Sequence, residues 1–273
     1  MRTTPLTDPP GVRCRPDRPT GTGVLVLAGS SGRIEAGRAG LLADAGLLAE
    51  SIGWFGGPGQ QPGPWEVPLE LFLGRVAALR ADCDRVVILG TSFGAEAALL
   101  AAAHGTAAAR VDAVIAIAPT DVVWAGIRPD GRQTSHWTLG GDALPYLGFD
   151  PDWTPDAEPP AYRGLYQRSW ASASAEHRAA AAIPVERIRE LTLVCGGDDQ
   201  VWSSPTQAGR IVARRSVHGL RTGLLTEPDA GHRVVLPGER PAPGGVRMRR
   251  GGHPEADRRL GERVWTVLTG LPR

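Results

Sequence analysis

Lysine is absent from this chain, so all 30 basic residues are arginine. The absence excludes two kinds of chemistry: a Schiff base on a lysine amine, and a P-loop, which needs a lysine for nucleotide phosphates. Acidic residues number 29 and the net charge is +1. No charged tail stands out, so we expect neither nucleic acid nor a membrane surface as a partner.

Cysteine and long apolar runs are also scarce. The three cysteines, Cys14, Cys83 and Cys195, lie far apart and form no Cys-x-x-Cys pair. This pattern argues against a disulfide framework and a zinc site, so we predict reduced thiols and no metal. No apolar run is long enough to span a bilayer, and the Pro/Arg-rich first residues have no core of signal-peptide length. We therefore expect a cytoplasmic protein, and nothing in the sequence requires a cofactor.

Short, continuous apolar runs recur along the chain. They are "VLVLAG", "VVILG", "AVIAIAP", "LTLVCG" and "GLLTEP", at residues 24–29, 86–90, 113–119, 191–196 and 223–228. Continuous runs are typical of strands buried on both faces of a parallel sheet. Helix-like segments separate them, at residues 36–51, 69–80, 95–104 and 206–214, and residues 255–271 form a closing helix. The alternation predicts the α/β class, with a mostly parallel central sheet and helices on both faces.

The chain divides into a Pro/Arg-rich N-terminal extension, residues 1–22, and one α/β domain, residues 23–273. Within the domain, residues 120–183 break the alternation and hold more than half of the aromatic side chains. Disordered segments are poor in aromatics, so this irregular insertion is predicted to be a lid or pocket wall. A small separate core under the loop is an equally good interpretation. We expect Trp124, Trp137 and Trp202 to contact substrate.

The sequence Gly90-Thr91-Ser92-Phe93-Gly94 joins a predicted strand to an alanine-rich helix. In this context Gly-x-Ser-x-Gly is typical of a nucleophile elbow, where a serine sits on a strained turn between closely packed strand and helix. The alternative is a tight strand-to-helix turn of small residues in which Ser92 is not a nucleophile. The context favours Ser92 as a nucleophile, with the N–H of Phe93 as one donor to a developing oxyanion.

A second oxyanion donor is expected in the loop after an early strand. The sequence "LAGSSGR", residues 27–33, follows the first predicted strand, and the N–H of Ser30 is our candidate. The same glycines fit part of a dinucleotide-binding loop, but the pattern Gly-x-Gly-x-x-Gly is not met.

A serine nucleophile needs a base, and the base needs an orienting acid. The sequences "GDDQVW" and "DAGH" follow the last two predicted strands, at the edge of the sheet where open α/β sheets bind ligands. Asp199 is the candidate acid, with Asp198 as the alternative. His232 is the candidate base, with His253 as its rival. Each aspartate also fits a turn or a helix cap, where that residue type is common.

These motifs, in this order, resemble those of α/β-hydrolases. More narrowly, the chain resembles the catalytic domain of the acyl-CoA thioesterase and bile acid-CoA:amino acid N-acyltransferase family. The similar segments are "RAGLLADAGLLAE", "GTSFGAEAALLAAA", "SHWTLGGDALPYL", "IPVERI", "LVCGGDDQVWSS", "PDAGH" and "RRGGHPEADRRLGERVWTVL". The resemblance implies a triad of Ser92, Asp199 and His232, and so selects Asp199 over Asp198. It also implies hydrolysis, because family members with serine here are typically hydrolases and the amino-acid acyltransferases typically carry cysteine.

The resulting expectation is a serine hydrolase, a thioesterase or esterase, that acts on a small-molecule acyl substrate. Thioesters of CoA or of a carrier protein are among the candidate substrates. Two alternatives stay open: an acyltransferase or cyclase that uses the same acyl-enzyme, and a catalytically silent binding protein with the same fold. No motif specifies the acyl group, the leaving group or the oligomeric state.

Overall fold

The computed structural model describes residues 1–240 and 246–271. In chain order its strands are β1 (Arg2–Thr7), β2 (Pro10–Arg15), β3 (Thr22–Leu27), β4 (Leu48–Ile52), β5 (Val67–Pro68), β6 (Arg85–Thr91), β7 (Ala113–Ile117), β8 (Ala125–Ile127), β9 (Gln133–Ser135), β10 (Trp137–Leu139), β11 (Asp142–Ala143), β12 (Glu190–Gly196) and β13 (Gly223–Glu227). Eight of these strands form one sheet in the order β1-β2-β4-β3-β6-β7-β12-β13. All neighbours from β4 to β13 are parallel, so the predicted mostly parallel sheet is confirmed.

The α-helices are α1 (Ala36–Asp44), α2 (Glu70–Arg80), α3 (Phe93–Ala103), α4 (Arg163–Ser172), α5 (Ala175–Ala180), α6 (Ser204–Val217) and α7 (Pro254–Thr269). All of them except α4 and α5 cover the two faces of this sheet. Residues of α2, α3 and α6 form one core layer, and residues of α1 and α7 form the other. In β3, Leu25 and Leu27 face the first layer, whereas Val24 and Val26 face the second. Strands covered on both sides have no polar face, which is why they are continuous apolar runs in the sequence. In the part of the chain that the structure describes, no helix has the length and apolar character needed to cross a bilayer.

The predicted helix over residues 36–51 is wrong in its second half. Helix α1 ends at Asp44, Gly46 follows with a φ of +93°, and Leu48–Ile52 forms β4. A glycine in the left-handed region ends a helix, because most other residues adopt that conformation only at a cost. Strand β4 pairs in parallel with β3 and is buried throughout. Pairing in the sheet decided its conformation, since its composition also suits a helix.

The predicted N-terminal extension is instead part of the sheet. Strands β1 and β2 form an antiparallel hairpin, and β2 pairs antiparallel with β4, so residues 2–15 build one edge of the same domain. The prolines obscured these strands in the sequence, but their positions suit an edge. Pro5 lies in the outermost strand and Pro10 is the first residue of β2, two places where a missing N–H is tolerated.

The aromatic-rich insertion at residues 120–183 is ordered into short elements. Strands β8 and β9 form a hairpin, β10 pairs with both β5 and β11, and α4 and α5 follow. A small separate core forms around Trp124, Tyr166 and Trp202. The insertion therefore has its own packing, as the interpretation of a small separate core anticipated.

Candidate active site

Ser92 occupies a strained turn between β6 and α3. Its φ is +58° and its ψ is −122°, a region that non-glycine residues rarely adopt. A Cβ added at Gly90 would overlap the backbone carbonyl of Gly94, and one added at Gly94 would overlap the carbonyl of Ala28. Both motif glycines are thus required by close backbone contact. The N–H of Ser92 donates to the carbonyl of Ile117 at 2.9 Å, which fixes the turn against β7.

Asp199 and His232 meet at the carboxyl edge of the sheet. Asp199 follows β12, His232 follows β13, and His232 Nδ1 lies 2.9 Å from Asp199 Oδ2 and 3.0 Å from Oδ1. The carboxylate is buried, with 1% exposure, and accepts three further hydrogen bonds. The donors are the backbone N–H groups of Val201 and Trp202, at 2.9 and 3.2 Å, and the hydroxyl of Ser204, at 2.6 Å. These bonds replace the water that the carboxylate loses on burial, and they fix its direction toward the imidazole.

Sequence reasoning missed Ser204 as a partner of the acid. Its hydroxyl donates to Asp199 from the first turn of α6, five residues further along the chain. A serine at the start of the helix that follows the acid loop was the available signal, but that position is equally typical of a helix cap.

Asp198 and His253, the alternative acid and base, make other contacts. Asp198 Oδ2 accepts the N–H of Gly252 at 2.8 Å, and this bond lowers the pKa of Asp198. His253 is exposed, occupies the residue position just before α7, and donates its backbone N–H to the carbonyl of Asp229 at 3.0 Å. Asp198 therefore ties the acid loop to the segment before α7, while Asp199 is the aspartate that faces a histidine.

Ser92 and His232 line the same cavity, which has a volume of about 380 Å³. Ser30 and Phe93 line it too. A Cβ added at Gly29 would lie 3.1 Å from the Cβ of Ser92, so the loop after β3 packs directly against this serine. Phe93 is the first residue of α3, where intrahelical hydrogen bonds leave the backbone N–H unused. The candidate nucleophile, base and oxyanion donors thus border one space large enough for a small ligand.

The cavity is lined by an apolar set and a charged set of residues. The apolar set, called here the apolar side, is Ala125, Ile127, Phe149, Leu165 and Tyr166. The charged set, called here the charged side, is Arg33, Glu35, Arg38, Arg233, Glu239 and Arg250, with the apolar residues Val234, Val235, Val246 and Met248 from the same segments. Burial raises the pKa of the Tyr166 phenol, which therefore stays neutral over the ordinary pH range.

The expectation that Trp124, Trp137 and Trp202 contact substrate needs correction. All three indoles are buried, and none of them lines the cavity that contains Ser92. Their ring N–H groups donate to protein acceptors, namely Thr120 Oγ1 at 2.9 Å, Glu96 Oε1 at 2.8 Å and the Ala118 carbonyl at 3.1 Å. A large ring whose only polar atom is satisfied internally is most stable inside the core. Trp202 packs against two residues of the site, because its ring centroid lies 5.5 Å from that of Phe93 and 5.8 Å from that of His232.

Sequence reasoning also missed a buried carboxylate beside the cavity. Glu96, in the first turn of α3, accepts the backbone N–H of Trp124 at 3.1 Å and the indole N–H of Trp137 at 2.8 Å. The ring of His136 lines the cavity 4.0 Å from Phe93, and its Nδ1 lies 3.8 Å from Glu96 Oε1. Glu96 therefore connects the insertion to the helix that begins at the candidate nucleophile. A glutamate within an alanine-rich helix was the signal for it.

The cysteines do not compete with Ser92 as nucleophiles. Cys14, Cys83 and Cys195 are free and buried. Burial raises the pKa of Cys195 to about 12 and that of Cys83 to about 11. Both thiols are therefore protonated at neutral pH, and a protonated thiol is a poor nucleophile.

The parallel sheet, the strained serine turn and the late acid and histidine loops together define an α/β-hydrolase fold. A model of the alpha/beta hydrolase family matches residues 20–243, and the chain belongs to this family. The narrower resemblance to acyl-CoA thioesterases and bile acid-CoA:amino acid N-acyltransferases stays a prediction. Comparison with curated protein sequences gives no match.

Solved structures with this fold include three with broad coverage of the chain. A protein from Klebsiella pneumoniae that is described as a dienelactone hydrolase by assignment has 14% identity and a TM-score of 0.55, with 99% of this chain and 98% of that one covered. Pyrococcus horikoshii acylaminoacyl peptidase has 12% identity and a TM-score of 0.55, with 98% and 39% covered. A truncated carbohydrate esterase from gut microbiota has 12% identity and a TM-score of 0.51, with 85% and 89% covered. At these identities the similarity concerns the fold.

Proposed function

We propose that this protein is a serine hydrolase that cleaves an ester or thioester bond of a small acyl substrate through an acyl-enzyme. One observation carries the proposal: His232, which lies 2.9 Å from Asp199, lines the same cavity as Ser92, and Ser92 is held at a φ of +58°. A serine, a histidine and a buried carboxylate arranged in this order are the groups that nucleophilic acyl transfer requires.

In the first step His232 accepts the proton of the Ser92 hydroxyl while Oγ forms a bond to the carbonyl carbon of the substrate. The electron pair of the carbonyl double bond moves to its oxygen. The N–H groups of Phe93 and Ser30 donate to that oxyanion, and each such donor contributes about 10²–10³ in rate. Asp199 holds the imidazole in the required orientation and offsets the positive charge that the ring acquires.

In the second step the tetrahedral intermediate collapses. The carbonyl re-forms, and the alcohol or thiol leaves with the proton that His232 had accepted. Water then enters, His232 takes one of its protons, and the oxygen attacks the acyl carbon. Collapse of this second intermediate releases the acid and returns a proton to Ser92, so the enzyme is unchanged.

Covalent labelling tests the nucleophile most directly. A fluorophosphonate is expected to modify Ser92 in the wild-type protein, as intact-mass and peptide mass spectrometry would show. Ser92→Ala removes the labelled oxygen and is expected to lower kcat by about 10⁴ or more. Ser92→Ala with near-native turnover would end the proposal.

A substrate panel then identifies the reaction. Acyl-CoAs, para-nitrophenyl esters and lactones are offered to the wild-type protein and to Ser92→Ala, with and without amine and alcohol acceptors. Free acid as the only product supports hydrolysis, whereas transfer to an acceptor identifies an acyltransferase. A folded wild-type protein that neither reacts with the fluorophosphonate nor converts any substrate would be a binding protein with this fold.

A further inference from the structure

The charged side of the cavity has an excess of positive charge. Four arginines line the cavity against two glutamates. Both glutamates are already ion-paired: Glu35 binds Arg33 at 2.8 Å, and Glu239 binds Arg38 through two bonds of 2.9 Å. The side chains of Arg233 and Arg250 line the same cavity.

Arg250 is the most informative of these cations. Its half-buried guanidinium donates to the backbone carbonyls of Val246 at 3.0 Å and Met248 at 3.4 Å, and it forms no ion pair with any residue of 1–240 or 246–271. Its own carbonyl accepts the backbone N–H of His232 at 2.9 Å. Arg250 is therefore attached to the residue that carries the candidate base, and its charge lies on the cavity wall without a carboxylate beside it.

The arginines of this wall lie close enough to one another to repel. Burial lowers the pKa of both Arg233 and Arg250, and nearby positive charges lower them further: Arg33 acts on both, and Arg233 acts on Arg250. Glu35, Asp257 and Glu239 offset part of this effect at Arg233. Like charges held together at a half-buried site are typical of a place where an anion binds, because the anion removes the repulsion.

We propose that this basic wall binds a carboxylate of the substrate beside the bond that Ser92 attacks. The inference rests on the proposed function and names its substrate class: acyl compounds with an anionic group near the scissile bond and an apolar group that occupies the other side of the cavity. The planar guanidinium matches a carboxylate with two parallel N–H···O bonds. The cavity of about 380 Å³ must also hold the acyl carbonyl, so it favours a compact anion.

Two pairs of esters test the proposal and distinguish the two ends of the substrate. The acyl pair is the para-nitrophenyl monoester of adipic acid and the same ester with its free carboxylate methylated. The leaving-group pair is nitrophenyl butyrate with and without a ring carboxylate. Wild type is expected to prefer the anionic member of one pair by about 10-fold or more in kcat/KM, the size of a charge-assisted contact.

Arg250→Gln is expected to lower that preference about 10-fold. The matched control is Arg249→Gln, an adjacent and exposed arginine outside the cavity, which leaves the preference unchanged. Arg33→Gln serves as the second variant if Arg250→Gln fails to fold by circular dichroism. A wild-type ratio near one in both pairs, or an unchanged ratio in folded Arg250→Gln, overturns the proposal.

Binding to a protein without the nucleophile separates this inference from the proposed function. Isothermal titration of Ser92→Ala with the intact esters is expected to show tighter binding of the anionic member, and Ser92→Ala/Arg250→Gln is expected to lose that difference. Equal binding of both members overturns the inference even if esters are hydrolysed. The proposed function fails separately, if wild type neither reacts with the fluorophosphonate nor converts any substrate of the panel, and the titration still decides whether the wall binds a carboxylate.

Discussion

His232 Nδ1 lies 2.9 Å from Asp199 Oδ2, although the two residues are 33 positions apart in the chain. Each follows a different strand, and β12 and β13 are parallel neighbours in the sheet. Parallel neighbours end at the same edge, so loops that are distant in sequence come into contact there.

Asp199→Asn is expected to lower kcat by about 10³–10⁴, because an amide neither fixes the imidazole in the correct tautomer nor stabilises its positive charge. The measurement is kcat on an ester from the substrate panel. Asp198→Asn is the matched control, since the neighbouring carboxylate bonds to Gly252 and not to His232. Equal losses in the two variants would contradict the assignment of Asp199 as the orienting acid.

Asp198→Asn is expected to alter the pH dependence of stability. The hydrogen bond from Gly252 lowers the pKa of Asp198 in the folded protein. A depressed pKa means that the carboxylate stabilises the fold above its unfolded pKa of about 3.9, and that this contribution disappears as the pH falls through the folded pKa. The difference in unfolding free energy between wild type and Asp198→Asn is thus expected to be constant between pH ~7 and ~5 and to shrink below pH ~4. Urea denaturation at several pH values measures it. A difference that persists undiminished at acidic pH would exclude this linkage.

Ser92→Gly is expected to be at least as stable as wild type. A non-glycine residue at this backbone conformation costs about 1–3 kcal/mol, which glycine avoids. That gain offsets the entropy cost of a glycine, about 0.5–1 kcal/mol. Ala213→Gly, on the exposed surface of α6, makes a similar change without relief of strain and is expected to destabilise by about 1 kcal/mol. Chemical denaturation compares them, and equal destabilisation would show that the Ser92 turn is unstrained.

Gly90→Ala is expected to disrupt the serine turn, because the new Cβ overlaps the Gly94 carbonyl and one of the two backbone segments must shift. A displacement of about 1 Å at a catalytic group costs on the order of 10² in rate, and the expected loss of activity is at least that large. Gly74→Ala is the control, since apart from the adjacent backbone of α2 itself no described atom lies within 4 Å of a Cβ added at this exposed site. Gly74→Ala is expected to add about 0.4–1 kcal/mol of stability with activity retained. Native-like activity in Gly90→Ala would contradict the close packing of the turn.

Glu96→Ala is expected to lower the free energy of unfolding by about 2 kcal/mol or more, because it leaves the N–H groups of Trp124 and Trp137 buried without an acceptor. Glu96→Gln keeps one carbonyl oxygen at the same place and is expected to lose less. Urea denaturation of the two variants gives the comparison. If both lose the same stability, these two hydrogen bonds are not what the side chain contributes.

The sequence predicted the elements of the central sheet where local pattern and burial agree. Strand β7 begins at the predicted residue, Ala113, and helix α2 ends at the predicted residue, Arg80. Prediction failed where a segment's partner decided its conformation. Leu48–Ile52 became a strand because β3 offered a parallel edge, and residues 2–15 became a hairpin because β4 offered an antiparallel one. No periodicity within these segments reveals those partners.

The residues of the candidate site also divide into those that the sequence predicted and those that it did not. A glycine–serine–glycine turn is a local feature, so the strained turn at Ser92 was predictable from five consecutive residues and their flanking strand and helix. The sequence also predicted the order of the two loops after late strands, the first with Asp199 and the second with His232. The sequence did not predict the residues that hydrogen-bond to Asp199 or the arginines of the cavity wall, because these residues reach the site from different elements.

By itself the sequence determined an α/β chain with a strained serine turn and the loops after late strands that carry Asp199 and His232, because strand burial and turn geometry depend on neighbours along the chain. Only the tertiary structure decided that Asp199 faces His232 while Asp198 faces Gly252, that Trp124, Trp137 and Trp202 lie in the core, and that Arg250 lies on the cavity wall. The direction of a side chain follows from contacts between segments far apart in sequence, and those contacts exist only once the sheet has assembled.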